Sequence, residues 1–177
     1  MDFRERDAVL QAVKEIHAEH GRPDGVVFAA GVIEDRLIAE KTPESFQRVY
    51  GTKTAGAGAL FAALDDLPAA PAFTVLFGSI AAGPRQPRPG RLRRRERRPE
   101  VLGTDWAART GGRAPTVHLG PWAPAAGHTG MVGAESRRAY ARRGIALIDP
   151  GGRAALLREL AWGDPAARAV VYTASGW

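Results

Sequence analysis

Cysteine is absent from the 177 residues. That excludes disulfides, thiolate metal ligands and a thiol nucleophile, and leaves the redox compartment open. Lysine is scarce, three residues against 22 arginines, so each lysine is worth locating individually. Long apolar runs are lacking too: no stretch approaches the roughly 18 unbroken apolar residues of a membrane span, and no membrane partner is expected. The opening Met1-Asp2-Phe3-Arg4-Glu5-Arg6 is charged and has no apolar core, so a secretory signal is not expected and a cytoplasmic location is the default. A glycine-rich G-x-G-x-x-G phosphate turn occurs nowhere.

What is present suits one domain over residues 1–177, with an apolar fraction of 45 % that can bury a core. The net charge of +6 is uneven. Eight arginines fall between Arg85 and Arg98, more than the whole excess, and the rest of the chain is close to neutral. A basic chain suggests an acidic partner such as nucleic acid. The run has no interleaved aromatics, however, so nucleic-acid binding is only a minor alternative.

Periodicity gives alternating strands and helices. Val9, Leu10, Val13 and Ile16 recur at helical spacing from Asp7 to Glu19, with Gly21 and Pro23 as the stop. Val26 to Gly31 reads as a buried parallel strand ending in glycine. Thr42 is a candidate N-cap with Pro43 at the first helical position, opening a helix to about Leu64. Phe73 to Phe77 is a second strand, Thr116 to Leu119 a third and Val170 to Thr173 a last, with helices over 136–144 and 151–163. This order predicts an α/β fold with a parallel sheet. Residues 84–100 break the texture: arginine repulsion and Pro84, Pro87, Pro89 and Pro99 predict a disordered segment inside the domain.

Several short motifs stand in one order: Phe28-Ala29-Ala30-Gly31-Val32-Ile33-Glu34-Asp35, Thr42-Pro43-Glu44, Thr52-Lys53, Leu76-Phe77-Gly78-Ser79-Ile80-Ala81 and Gly120-Pro121-Trp122. Together they resemble the ketoreductase domains of type I polyketide synthases, a branch of the short-chain dehydrogenase/reductase superfamily. The resemblance implies a Rossmann-type doubly wound parallel sheet, here expected to lack its N-terminal half and with it the pyrophosphate and adenosine end of an NADPH site. It implies that Ala29, Ala30 and Gly31 lie beside the nicotinamide ribose, with Lys53 and Pro121 also at the cofactor. Lys53 would lower the pKa of a catalytic tyrosine. Ser79 would hold the substrate carbonyl as charge develops on its oxygen. Trp122 and Asp35 would face the substrate, and the triplet Ile33-Glu34-Asp35 partly matches a Leu-Asp-Asp signature of D-alcohol formation. The implied reaction is NADPH-dependent reduction of a β-ketoacyl thioester on an acyl carrier protein, beside other synthase domains.

The family's acid is a tyrosine thirteen residues after the serine, in a Tyr-x-x-x-Asn pattern. Those positions hold Leu92 and Glu96. Leucine has no proton to donate, so the chain is expected to be catalytically dead. The arginine run offers a reason. Alanine codons of the GCC type become arginine codons one base out of frame, and one allowed codon choice for residues 84–100 returns tyrosine and asparagine at positions 92 and 96. The expectation is a compensated frameshift. A non-catalytic remnant that serves as a structural partner in a synthase is the alternative.

Overall fold

The computed structural model describes residues 1–34, 37–80, 90–125, 132–164 and 166–174; the side chains of 38, 90–97 and 162 also lie outside the described set. Helix α1 (Arg6–His20) precedes strand β1 (Gly25–Phe28), α2 (Pro43–Asp65), β2 (Phe73–Ser79), α3 (Gly90–Thr110), β3 (Thr116–Leu119), α4 (Ala134–Arg142), α5 (Arg153–Trp162) and β4 (Ala169–Tyr172), with single 3-10 turns at Ile38–Glu40 and Pro150–Gly152. The strands form one sheet in the order β1-β2-β3-β4, and every pairing is parallel.

Local chemistry explains the boundaries. Gly21 ends α1 with φ 75°, a conformation that glycine adopts without penalty. Thr42 caps α2 by accepting a hydrogen bond from the Ser45 N–H at 3.2 Å, with Pro43 in the first turn. The strands are short and rich in valine, as buried parallel strands are.

The sheet is covered on both faces, each incompletely. On one, Phe28 and Leu76 pack with Ala57, Leu60, Phe61 and Leu64 of α2 and Trp106 of α3. Trp106 is fully buried, its ring centroid 5.5 Å from that of Phe61. Gly103 lets α3 press this close: a Cβ there would stand 2.6 Å from Leu76 Cδ1. On the opposite face Val75 and Val117 meet Leu156 and Leu160 of α5. Over β1 that second face is open, with Val27 58 % and Phe73 42 % exposed.

Helix α3 begins at Gly90, within the segment expected to be disordered; residues 81–89 lie outside the described set. Pro99 sits inside this helix and is fully buried. Two physical terms favour helix here. Arginine is a good helix former despite its charge. The apolar second half of α3, anchored by Trp106, also carries the first half with it, since tertiary packing dominates helix stability.

Candidate active site

Three groups of the expected site residues end or follow strands at their carboxyl ends, where parallel sheets present ligands. Ala29, Ala30 and Gly31 follow directly on Phe28, the last residue of β1. Ser79 is the last residue of β2 and is half-buried, paired in register with Leu119 of β3. Pro121 and Trp122 follow β3 after Gly120; Pro121 is buried and Trp122 half-buried. Lys53 lies within α2, half-buried. Positions 92 and 96 fall in the first turns of α3. Asp35 lies outside the described residues.

Ala30 and Gly31 line an open cavity of about 440 Å³ with Met1, Asp2, Phe3, Arg4, Val32, Arg48 and Thr52. Thr52 is the neighbour of Lys53, so the loop after β1 and the middle of α2 share one hollow. Ser79, Pro121 and Trp122 do not line it. A Cβ on Gly31 would meet nothing within 4 Å, leaving that backbone open to a ligand.

The cavity rim is charged in a defined pattern. Arg4 Nε lies 3.0 Å from both Asp2 carboxylate oxygens, and the Arg4 backbone N–H donates to Oδ1 at 2.9 Å. These bonds to Arg4 hold the Asp2 carboxyl down from 3.8 to about 2. Across the hollow, Arg48 grips Glu34 with two bonds, Nε to Oε1 at 2.7 Å and Nη2 to Oε2 at 3.0 Å, and this pairing raises the arginine's own pKa. Glu34 is the middle residue of the Ile33-Glu34-Asp35 triplet, so Arg48 fixes that segment against α2. Lys41 Nζ donates to the Glu34 carbonyl at 3.1 Å and adds a second tie.

Sequence reasoning did not find Asp2, Arg4, Arg48 or Thr52 as cavity residues. Arg48 and Thr52 could have been found from helical spacing, because Arg48 stands about one turn before Thr52, the neighbour of Lys53, on the same helix. Asp2 and Arg4 carry no such signal; only the tertiary fold brings them to the loop after β1.

The fit of an NADPH cofactor is one-sided. Small residues and open backbone at Ala30 and Gly31 suit close approach of a ribose or nicotinamide. For a pyrophosphate the sequence holds no glycine-rich turn. The two cavity arginines are already committed to carboxylates.

An all-parallel α/β sheet with small-residue loops and a serine at its carboxyl edge is a Rossmann-type frame. Comparison with known proteins makes this specific. The family model described as "KR domain" matches residues 1–89. The chain belongs to the ketoreductase domain family of polyketide-type synthases. It is 30 % identical over 164 residues to a polyunsaturated fatty acid synthase polypeptide of Thraustochytrium sp., covering 92 % of this chain and 6 % of that protein. The ketoreductase from the first module of phoslactomycin biosynthesis in Streptomyces sp. HK803 superposes with a TM-score of 0.79 at 26 % identity, covering 100 % of this chain and 39 % of that one. A Burkholderia cenocepacia short-chain dehydrogenase solved in complex with NADP shares the fold, with a TM-score of 0.77 at 17 % identity over 98 % of this chain and 73 % of its own. The chain therefore spans a small part of its synthase relatives. NADP in such relatives supports NADPH as the family's cofactor.

Proposed function

We propose that this chain carries the carbonyl-binding half of an NADPH-dependent β-ketoacyl reductase of a polyketide or related synthase, and that as it stands it lacks the proton donor. One observation carries the reading. Ala30–Gly31, Ser79 and Pro121–Trp122 end or follow strands at the carboxyl edge of the sheet and Lys53 adjoins the cavity residue Thr52 on α2, while position 92, in the first turn of α3, holds leucine.

The division of labour follows from the residue types. NADPH, when bound, supplies the hydride. Ser79 donates its hydroxyl proton as a hydrogen bond to the carbonyl oxygen while negative charge grows there. Lys53 acts on whatever acid occupies the first turn of α3 by favouring its anionic form. Ala29, Ala30 and Gly31 leave room for the ribose. Trp122 bounds the substrate side, and Asp35 with its triplet directs the product toward the D-alcohol. The substrate is a β-ketoacyl thioester on an acyl carrier protein, and other synthase domains are the neighbours. Leu92 cannot donate the final proton and Glu96 replaces the asparagine of the pattern. We attribute both to an out-of-frame reading of residues 84–100.

The test is a comparison of two proteins. The chain as given should oxidise no NADPH with a small β-keto thioester. The same chain with residues 84–100 replaced by their in-frame reading, fused behind the cofactor-binding half of a related ketoreductase, should reduce it. Turnover by the unaltered chain, or none by the fused and repaired one while it binds NADPH, would overturn the proposal.

A further inference from the structure

We infer that Arg48 is a positioning residue: its two-bond grip on Glu34 is the clasp that holds the loop after β1 in the shape the cofactor's ribose requires. This rests on the reading above. The loop leaves β1 at Phe28 and is irregular from Ala29 to Glu34. Among the described residues, no backbone–backbone hydrogen bond holds Gly31, Val32 or Ile33. Apolar burial does not anchor this stretch either, since Val32 and Ile33 are exposed. Its fixed point is Glu34. The carboxylate accepts from Arg48 Nε at 2.7 Å and Nη2 at 3.0 Å, and the Glu34 carbonyl accepts from Lys41 Nζ at 3.1 Å.

The clasp is also a wall. Gly31 and Val32 line the cavity from the loop, and Arg48 and Thr52 line it from α2. The Thr52 hydroxyl donates to the Arg48 carbonyl at 2.7 Å, so the two stand one turn apart on the same helix. The helix is held by its core side, where Val49 is buried, whereas the loop is not. Where Arg48 holds Glu34 therefore sets the gap between Gly31 and the α2 wall, and with it the loop's place relative to Lys53, the neighbour of Thr52. Global stability gives no reason for the pair. Arg48 is exposed, and an exposed ion pair adds little to folding. Two parallel bonds from one guanidinium do add geometric definition, which a lysine, as a single point charge, supplies less well. When the clasp opens, the loop joins the weakly held parts of the fold. A ligand that needs the closed shape then loses affinity in proportion to the closed fraction.

The test uses the full chain and two readouts that need no turnover. One is amide hydrogen exchange across residues 30–33. The other is the fluorescence of reduced nicotinamide riboside titrated with protein; this probe carries no phosphate, so altered charges at the rim do not repel it directly. Arg48→Gln and Glu34→Gln should each speed loop exchange and weaken binding by at least about fivefold. Arg48→Lys should fall between these variants and the wild type. The swap Arg48→Glu/Glu34→Arg should return both readouts to within about twofold of the wild type, a rescue that unrelated packing roles of the two residues would not give. Arg109→Gln, which breaks the ion pair to Asp65 at the far end of α2, should change neither readout. Faster exchange with unchanged affinity, a swap no better than the single variants, equal losses for Arg109→Gln, or no binding by the wild type would each overturn the inference. The reading of the reaction is decided separately, by turnover of the repaired fusion.

Discussion

His118 of β3 and Glu100 of α3 meet across the buried face of the sheet, Nε2 to Oε2 at 3.3 Å, with His118 only 6 % exposed. This contact ties the helix that carries the arginine tract to the strand that leads to Pro121. A buried imidazole that loses its partner bears the cost of an unsatisfied polar group. Glu100→Ala should therefore destabilise the domain by about 1–3 kcal/mol, read as a lower midpoint in urea. A midpoint unchanged from wild type would mean that the pair contributes nothing.

Trp106 is the largest fully buried side chain among the described residues and links α3 to α2 through Phe61. Trp106→Ala should cost about 3–5 kcal/mol. If α3 is held in place by this half of its length, the variant should also lose helical signal beyond the single-residue change, measured by circular dichroism.

Two glycines should respond in opposite directions. At Gly103 a Cβ would meet Leu76 Cδ1 at 2.6 Å and the Ala114 carbonyl oxygen at 3.0 Å, so Gly103→Ala should cost about 1–3 kcal/mol. Gly58 sits within α2 with nothing within 4 Å of its Cβ position. Gly58→Ala should stabilise by roughly 0.5–1 kcal/mol because alanine loses less entropy in a helix. Thermal midpoints of the two variants should fall on either side of the wild type.

The Asp2 carboxyl is held at about 2 chiefly by hydrogen bonds from Arg4. A carboxyl whose folded pKa is depressed contributes stability above its unfolded value, and the contribution fades as pH falls from about 4 through 2. Arg4→Ala should return the Asp2 titration midpoint toward 3.8, observable in the carboxyl carbon chemical shift. The pair should thus remain intact at neutral pH, leaving Arg4 engaged at the cavity rim.

Much of this fold was legible in the sequence, for identifiable reasons. The strands at Gly25–Phe28, Phe73–Ser79, Thr116–Leu119 and Ala169–Tyr172 all fall on short valine- and phenylalanine-containing runs bounded by glycine, proline or polar residues. The cap at Thr42 followed from a threonine before a proline. The start of α3 was hidden because repulsion and proline both argue against helix locally, while the packing of Trp106 that favours it is nonlocal. In the site, the edge positions of Ser79 and Gly31 followed from strand ends, whereas the approach of Asp2 and Arg4 to Ala30 depends on how α1 docks on α2. The open face at Val27 and Phe73 likewise became visible only once the sheet was assembled.

The central claim is that the ketoreductase frame is intact around a tract read out of frame. The most direct measurement is to resequence the gene across codons 78 to 104. Two compensating frame changes are expected, one near Ala81 to Pro84 and one near Glu100 to Leu102, with tyrosine and asparagine restored at positions 92 and 96. Reads that confirm the arginine codons in frame throughout would contradict the claim, and would leave Leu92 as a true substitution in a chain whose role is binding without reduction.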